Sequence, residues 1–255
     1  HAVVPKAWED NIASTMQWTY NKEYVTKAEL GMMAILAHNN WERPIYFANM
    51  LSTDNFMGLD KYLVNEGLVY KLMPIEAQQE ENRISLFNED SLYSNIMEKY
   101  HWGNIAEMKH FDSDYKTFIN HYLWEETIGL ALDTLNKRGE WKKASDIAHL
   151  ALAKMPKKIV NTQQVYTNAY IVDTLLKVEE QDKAMQLANV GLDYLEQHLA
   201  YLNAIGGKLT GFDIRELQLA VDTLDRYKEI SNANKNAILI SRVNTLADRY
   251  VSRYK

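Results

Sequence analysis

Residues 139–156 read Gly139-Glu-Trp141-Lys-Lys-Ala144-Ser-Asp-Ile-Ala-His-Leu-Ala151-Leu-Ala-Lys-Met-Pro156. Glycine permits a sharp reversal, and alanines let two helices approach closely. An aromatic can fill the groove between them, and proline ends a helix because it lacks the N–H that the next turn needs. The spacing predicts the turn and second helix of an α-hairpin, with Trp141 covered by the partner helix. Downstream the helical period persists: Val165, Ala169, Val172 and Leu176 form one stripe, and Ala184, Leu187, Ala188, Gly191, Leu192, Leu195 and Leu199 a wider one. Ile214, Leu217, Val221 and Leu224 form a third, and Leu239, Val243, Leu246 and Tyr250 a fourth. Consecutive helices with short connections pack antiparallel.

Gly139, Trp141, Ala144, Ala151 and Pro156 together resemble the second half of a tetratricopeptide repeat. In the following hairpin Ala184 and Gly191 fall in corresponding places, but Glu179 and Gln181 stand where the glycine and the aromatic belong. Ala144 and Ala184 are 40 residues apart, against about 34 in a standard repeat. The resemblance implies about two degenerate units; the plainer alternative is a generic helical bundle. Upstream, Leu92, Ile96 and Tyr100 share a helix face, and Asp112-Ser-Asp114 offers N-caps for a helix carrying Phe118, Ile119, Tyr122 and Leu123.

The front of the chain reads differently. Thr26-Lys-Ala-Glu29 is a capping box, and the helix it starts should stop near Asn39-Asn40, since asparagine tolerates the left-handed conformation. In Trp41-Glu-Arg-Pro-Ile-Tyr-Phe-Ala48, Pro44 should begin a short buried strand. Asp54 can cap a second helix with Phe56, Leu59 and Leu63 on one face, ending at Gly67. Leu68-Val-Tyr-Lys-Leu-Met73, closed by Pro74, is a second strand. Two strands joined by a helix are expected to be parallel, with a right-handed crossover.

Composition narrows the function. Of 255 residues 47% are apolar and 24% charged, which suffices for a core. With 10 glycines and 4 prolines, all-β sandwiches and barrels are disfavoured. The absence of cysteine removes disulfides, thiolate metal sites and cysteine nucleophiles. Residues 1–110 carry 9 Lys+Arg against 15 Asp+Glu, and residues 111–255 carry 19 of each, so neither part has the basic footprint of a nucleic-acid binder. No apolar run approaches the roughly 20 residues that span a bilayer. His1–Lys6 shows no leader pattern, and a chain opening on His1 is expected to be a piece of a longer protein.

Four segments occur in order at close spacing: Tyr24-Val-Thr-Lys27-x-Glu29-Leu30, Asn39-Asn-Trp-Glu-Arg-Pro-Ile-Tyr-Phe-Ala48, Gly58-Leu-Asp-Lys-Tyr62 and Glu66-Gly-Leu-Val-Tyr-Lys-Leu-Met-Pro74. Together they resemble the soluble C-terminal region of a family of bacterial multi-pass membrane proteins. That family, long catalogued as a domain of unknown function, is related to protein O-mannosyltransferases of the GT-C glycosyltransferase type. The likeness covers residues 24–74; the helical remainder fits by architecture. It implies an extracytoplasmic, periplasmic tail whose partner is its own transmembrane half, with an acceptor protein or peptide as a further partner. GT-C enzymes carry their essential carboxylate in a loop between membrane helices, so no catalytic residue transfers to this sequence.

Other chemistry is thin. His110-Phe-Asp-Ser-Asp114 could hold a metal but reads better as an N-cap cluster. His121 and Glu125 share a helix face without the HExxH pattern. Gly206-Gly207 reads as an interhelical turn rather than a phosphate loop, and Glu125-Glu126 and Glu179-Glu180 point about 100° apart. Inside the shared motif Arg43 and Asp60, with Trp41 and Tyr62, could line a cleft at the strand edge where α/β folds bind ligands. They could instead be structural, Arg43 meeting carbonyls and Asp60 capping, which is the preferred reading.

The expected fold is therefore mainly α: a small parallel βαβ module over 1–80, a connecting segment with one helix over 81–110, and tetratricopeptide-like antiparallel hairpins over 111–255. The expected function is a non-catalytic, accessory one. No cofactor, metal or nucleic acid is assigned. A free-standing helical-repeat peptide-binding scaffold and a soluble enzyme with scattered site residues are the rivals.

Overall fold

The computed structural model describes residues 4–75, 86–107, 126–156, 158–159 and 161–251. The expected helix after Asp112, the His110–Asp114 cluster and the His121/Glu125 pair lie outside these. The chain forms two units, His1–Lys99 and Tyr100–Lys255.

In the first unit the capping box forms as read. The Thr26 hydroxyl accepts from the Glu29 N–H (3.3 Å), while the Glu29 carboxylate accepts from the Thr26 N–H (2.8 Å) and hydroxyl (2.7 Å). The Lys22 ammonium adds a bond of 2.6 Å, so this glutamate sits buried at the start of helix α1, Lys27–Asn39. Asn40, at φ 49°, ends the helix in the left-handed conformation.

Three strands follow, β1 (Tyr46–Ala48), β2 (Leu63–Asn65) and β3 (Val69–Leu72), in the order β1-β3-β2. Both pairings are antiparallel, with Phe47 opposite Tyr70 and Val64 opposite Lys71. This corrects the parallel βαβ expectation. The segment from Asp54 has helical spacing but makes only 3-10 turns, Thr53–Phe56 and Asp60–Tyr62. Between them Met57 (φ 54°) and Gly58 (φ 77°) are both left-handed, which interrupts a right-handed helix. A Cβ on Gly58 would stand 2.3 Å from the Thr19 carbonyl oxygen, so that position requires glycine. Without a crossover helix, β2 and β3 pair directly through the two-residue loop Gly67-Leu68, where the Glu66 N–H meets the Val69 carbonyl at 2.9 Å. Gly67 supplies the positive φ, 108°, that such loops need.

The sheet is covered on both faces. Leu63 and Leu72 join Phe47, Phe56, Met57, Leu59 and Tyr62, against which Met32, Met33 and Leu36 of α1 pack. Val64 and Met73 face Val4 and Ile75, with Trp8 and Ile12 beside them. The strand after Pro44 exists but is an edge, not buried throughout. Only Phe47 points inward, while Tyr46 and Ala48 face solvent. A short helix α2, Glu89–Ser94, with the turn Asn95–Lys99, buries Leu92 and Ile96. It belongs to this unit because Asn88 and Asn95 both donate to Glu66 at 2.8 Å, at its carboxylate and carbonyl respectively.

The second unit is a succession of antiparallel hairpins. Its helices are α3 (Thr127–Arg138), α4 (Trp141–Lys154), α5 (Thr162–Lys177), α6 (Gln181–Ile205), α7 (Gly211–Ala233) and α8 (Ala237–Leu246). Helices α3, α5 and α7 lie side by side, and α4, α6 and α8 pack on them. Gly139 (φ 75°) ends α3, and Ala144 and Ala151 of α4 are fully buried, as the opening motif requires. Trp141 departs from expectation: it is 40% exposed. As the first residue of α4 it points back across the turn. There its ring lies over the bare Gly139 and 5.1 Å from the Lys177 ammonium. Gly191 does what the small position of the repeat demands: a Cβ there would come within 2.9 Å of Val165 and 3.1 Å of the Tyr227 hydroxyl. The stripe on α7 holds only in part. Leu224 is buried, but Ile214 is 56% exposed. Glu216 already bonds to Thr162, the first residue of α5 (3.1 Å), so the turn carrying Ile214 projects past the helix it would pack on.

Candidate functional site

The structure places the four motif residues in four different roles. Tyr62 is fully buried; its hydroxyl accepts from the Gln17 N–H (2.7 Å) and donates to the Gln17 carbonyl (3.1 Å), pinning the N-terminal segment to the sheet. Trp41 packs partly buried on the same cluster, at φ 59°, a conformation that costs about 1–2 kcal/mol for a residue with a side chain. Asp60 begins the second 3-10 turn, its carbonyl accepting from Leu63. Arg43 is exposed, and its backbone N–H donates to the Asn39 side chain at 3.3 Å. Among the described residues no hydrogen bond or ion pair joins Arg43 to Asp60. The ligand crevice of parallel α/β sheets lies beyond the shared C-terminal ends of strands, an edge that an antiparallel sheet does not have.

The more elaborate polar system is in the helical unit, on α3, α5 and α7. Asp173, buried on α5, accepts from Asn234 (2.9 Å) on one oxygen, and from Lys177 (2.8 Å) and Asn136 (3.4 Å) on the other. Asn136 also donates to the Thr174 hydroxyl at 2.9 Å. Each of the three parallel helices, or its cap, thus contributes to one hub. Two turns earlier on α5, Tyr166 and Tyr170 stand edge to face at 5.7 Å with their hydroxyls 3.4 Å apart. The Arg226 guanidinium of α7 lies 4.5 Å from the Tyr170 ring centre and bonds to Asp133 of α3 and Glu229. Burial and the neighbouring Tyr166 hydroxyl push the Tyr170 phenol above its ordinary range. Tyr227, one residue on, is fully buried, and its hydroxyl has no hydrogen-bond partner among the described residues.

Lys137, Lys177 and Arg226 on this face are each held by a carboxylate of the same face. The tyrosine rings are partly buried. Among the described residues no group of three or more His, Asp or Glu side chains could hold a metal ion. The hub was not foreseen from the sequence. Its signal was the run Asn168, Asp173 and Thr174 lying within the buried stripe of α5, where polar side chains need partners.

The molecule is thus a mainly helical protein with a small antiparallel sheet module at its front. Residues 1–91, including the four-segment motif, match the family model described as TMEM260-associated domain 2. No curated protein and no solved structure matches the chain. Among the described residues no helix is long and apolar enough to cross a membrane.

Proposed function

We propose that this chain is a non-catalytic, extracytoplasmic part of a membrane-embedded GT-C-like protein glycosyltransferase, contacting its own transmembrane half and docking an acceptor polypeptide. The observation that carries the reading is the match of residues 1–91 to TMEM260-associated domain 2, which links the chain to a membrane glycosyltransferase-like protein. The geometry supports an accessory role. The polar motif residues Thr26, Glu29 and Tyr62, and Gly58 between them, are engaged with the backbone or side chains of their own unit. The tyrosine-bearing face of α3, α5 and α7 is the surface offered to an acceptor. That same face favours a second reading, a free-standing helical-repeat scaffold that binds peptides.

An antibody to this chain, used on fractionated cells, separates the two. A membrane-bound band far above 29.6 kDa, with its epitope open to protease from outside the cytoplasm, is the expected result. A band near 29.6 kDa in the soluble cytoplasmic fraction would overturn the first reading in favour of the second.

A further inference from the structure

One end of the helical unit gathers three chain segments: the α4–α5 connection, the turn Gly206–Lys208 between α6 and α7, and the segment after α8. Two hydrogen bonds tie these segments together, Thr162 to Glu216 (3.1 Å) and Asn203 to the Tyr250 carbonyl (3.5 Å). Around the α6–α7 turn three large apolar side chains are more than half exposed: Tyr201 (59%), Phe212 (62%) and Ile214 (56%). Beside them Lys208 and Arg215 are exposed, as are Lys154 and Lys158 at the neighbouring connection, and among the described residues none of the four has a carboxylate partner. The acids at this end are engaged elsewhere: Asp213 in the α7 capping box, Glu216 with Thr162 and His198, Glu196 with Arg249.

Exposed aromatic and aliphatic side chains next to unneutralised Lys and Arg fit a surface that is apolar below and anionic above. Lys154 and Lys158 belong to the α4–α5 connection and Lys208 and Arg215 to the α6–α7 turn, so an extended acidic peptide would have to span both connections to meet all four. We propose that this end of the helical unit seats on an anionic lipid bilayer, with Phe212, Ile214 and Tyr201 entering the interface and Lys154, Lys158, Lys208 and Arg215 facing the headgroups. The seat rests on the helical unit alone and holds whichever reading of the function stands.

The test is flotation of the 255-residue chain with vesicles of equal parts phosphatidylglycerol and phosphatidylcholine, against pure phosphatidylcholine, at rising salt. The chain should float with the anionic vesicles only, and less so as salt rises. Lys208→Glu and Arg215→Glu should each weaken binding about fivefold or more, and Phe212→Ser with Ile214→Ser about tenfold or more. All four side chains are exposed, so far-UV circular dichroism should be unchanged; Lys154→Ala with Lys158→Ala, on a different connection, gives an independent variant. No flotation, or flotation indifferent to both charge and apolar substitutions, would overturn the proposal. So would binding to polyglutamate that survives the Phe212/Ile214 change, which would make the partner an acidic polypeptide.

Discussion

Asp173→Ala should remove the hub that joins α3, α5 and α7. The carboxylate accepts three hydrogen bonds in a site where the residue is 6% exposed. Bonds to a charged acceptor contribute about 1.5–3 kcal/mol each, and a buried donor left unpaired costs about 1–3 kcal/mol. Three features reduce the sum. Asn136 retains the Thr174 hydroxyl, Asn234 retains the Ile230 carbonyl, and the Lys177 ammonium, at 29% exposure, reaches water. Removing the carboxylate also relieves its own desolvation. The expected net loss is about 2–4 kcal/mol. Asp173→Asn, which keeps one oxygen for Asn234 but turns an amide toward Lys177, should cost about half as much. Lys177→Met should cost under about 1 kcal/mol, as for a solvent-reachable pair. The assay is urea unfolding followed by far-UV circular dichroism, which the helical unit dominates, with the slope checked for unchanged exposure on unfolding. An Asp173→Ala loss below about 0.5 kcal/mol would refute the hub, since that is the range of an ordinary surface substitution.

Gly58→Ala should destabilise the first unit by about 2–4 kcal/mol, from the left-handed backbone and the 2.3 Å approach to the Thr19 carbonyl. Limited proteolysis of residues 1–99 is the readout, and an unchanged cleavage rate would contradict the turn. Tyr227→Phe should stabilise the helical unit by about 1 kcal/mol, because it removes a fully buried hydroxyl with no partner among the described residues. It should also make Gly191→Ala less damaging, since that hydroxyl is one of the two atoms a new Cβ would crowd. A double-mutant cycle with zero coupling would count against the packing described. Glu29 is held at about 2, against 4.5, chiefly by the Lys22 ammonium and then by the Thr26 hydroxyl and N–H. A depressed folded-state value means stability that is present above pH 4.5 and lost as pH falls toward 2. Hydrogen exchange in α1 should therefore accelerate over that window, and Glu29→Gln should flatten the dependence.

The helical unit was largely legible because its period is repeated: the stripe of α5 is buried as read, and those of α6 and α8 are buried except for Leu187 and for Tyr250, which lies past the end of α8. Where reading failed, local pattern and chain geometry disagreed. Phe56, Leu59 and Leu63 have the spacing of a helix face, yet two successive left-handed residues divide them into turns and a strand. The two-residue loop Gly67-Leu68 between two apolar runs was the overlooked hairpin signal. Trp141 and Ile214 were misjudged because periodicity says which face a side chain takes but not whether a neighbour extends far enough to cover it. The Asp173 hub was illegible for a related reason: its partners come from helices 37 and 61 residues away.

The two units use their polar groups in opposite ways, and that bears on where function lies. In the first, Thr26, Glu29, Tyr62 and Glu66 are closed onto their own unit by hydrogen bonds, and glycine is fixed at 58 by a carbonyl. A motif of this kind specifies a fold: substituting its residues should lower the amount of folded protein while leaving the properties of whatever survives unchanged. In the second unit the polar groups join different helices, the tyrosine rings are partly buried, and unneutralised cations collect at one end. Surface substitutions there should do the reverse, altering what the protein touches with little loss of stability. The segment that matches the family model, residues 1–91, and the exposed apolar and cationic end of the helical unit are, on this physical division, different parts of the chain.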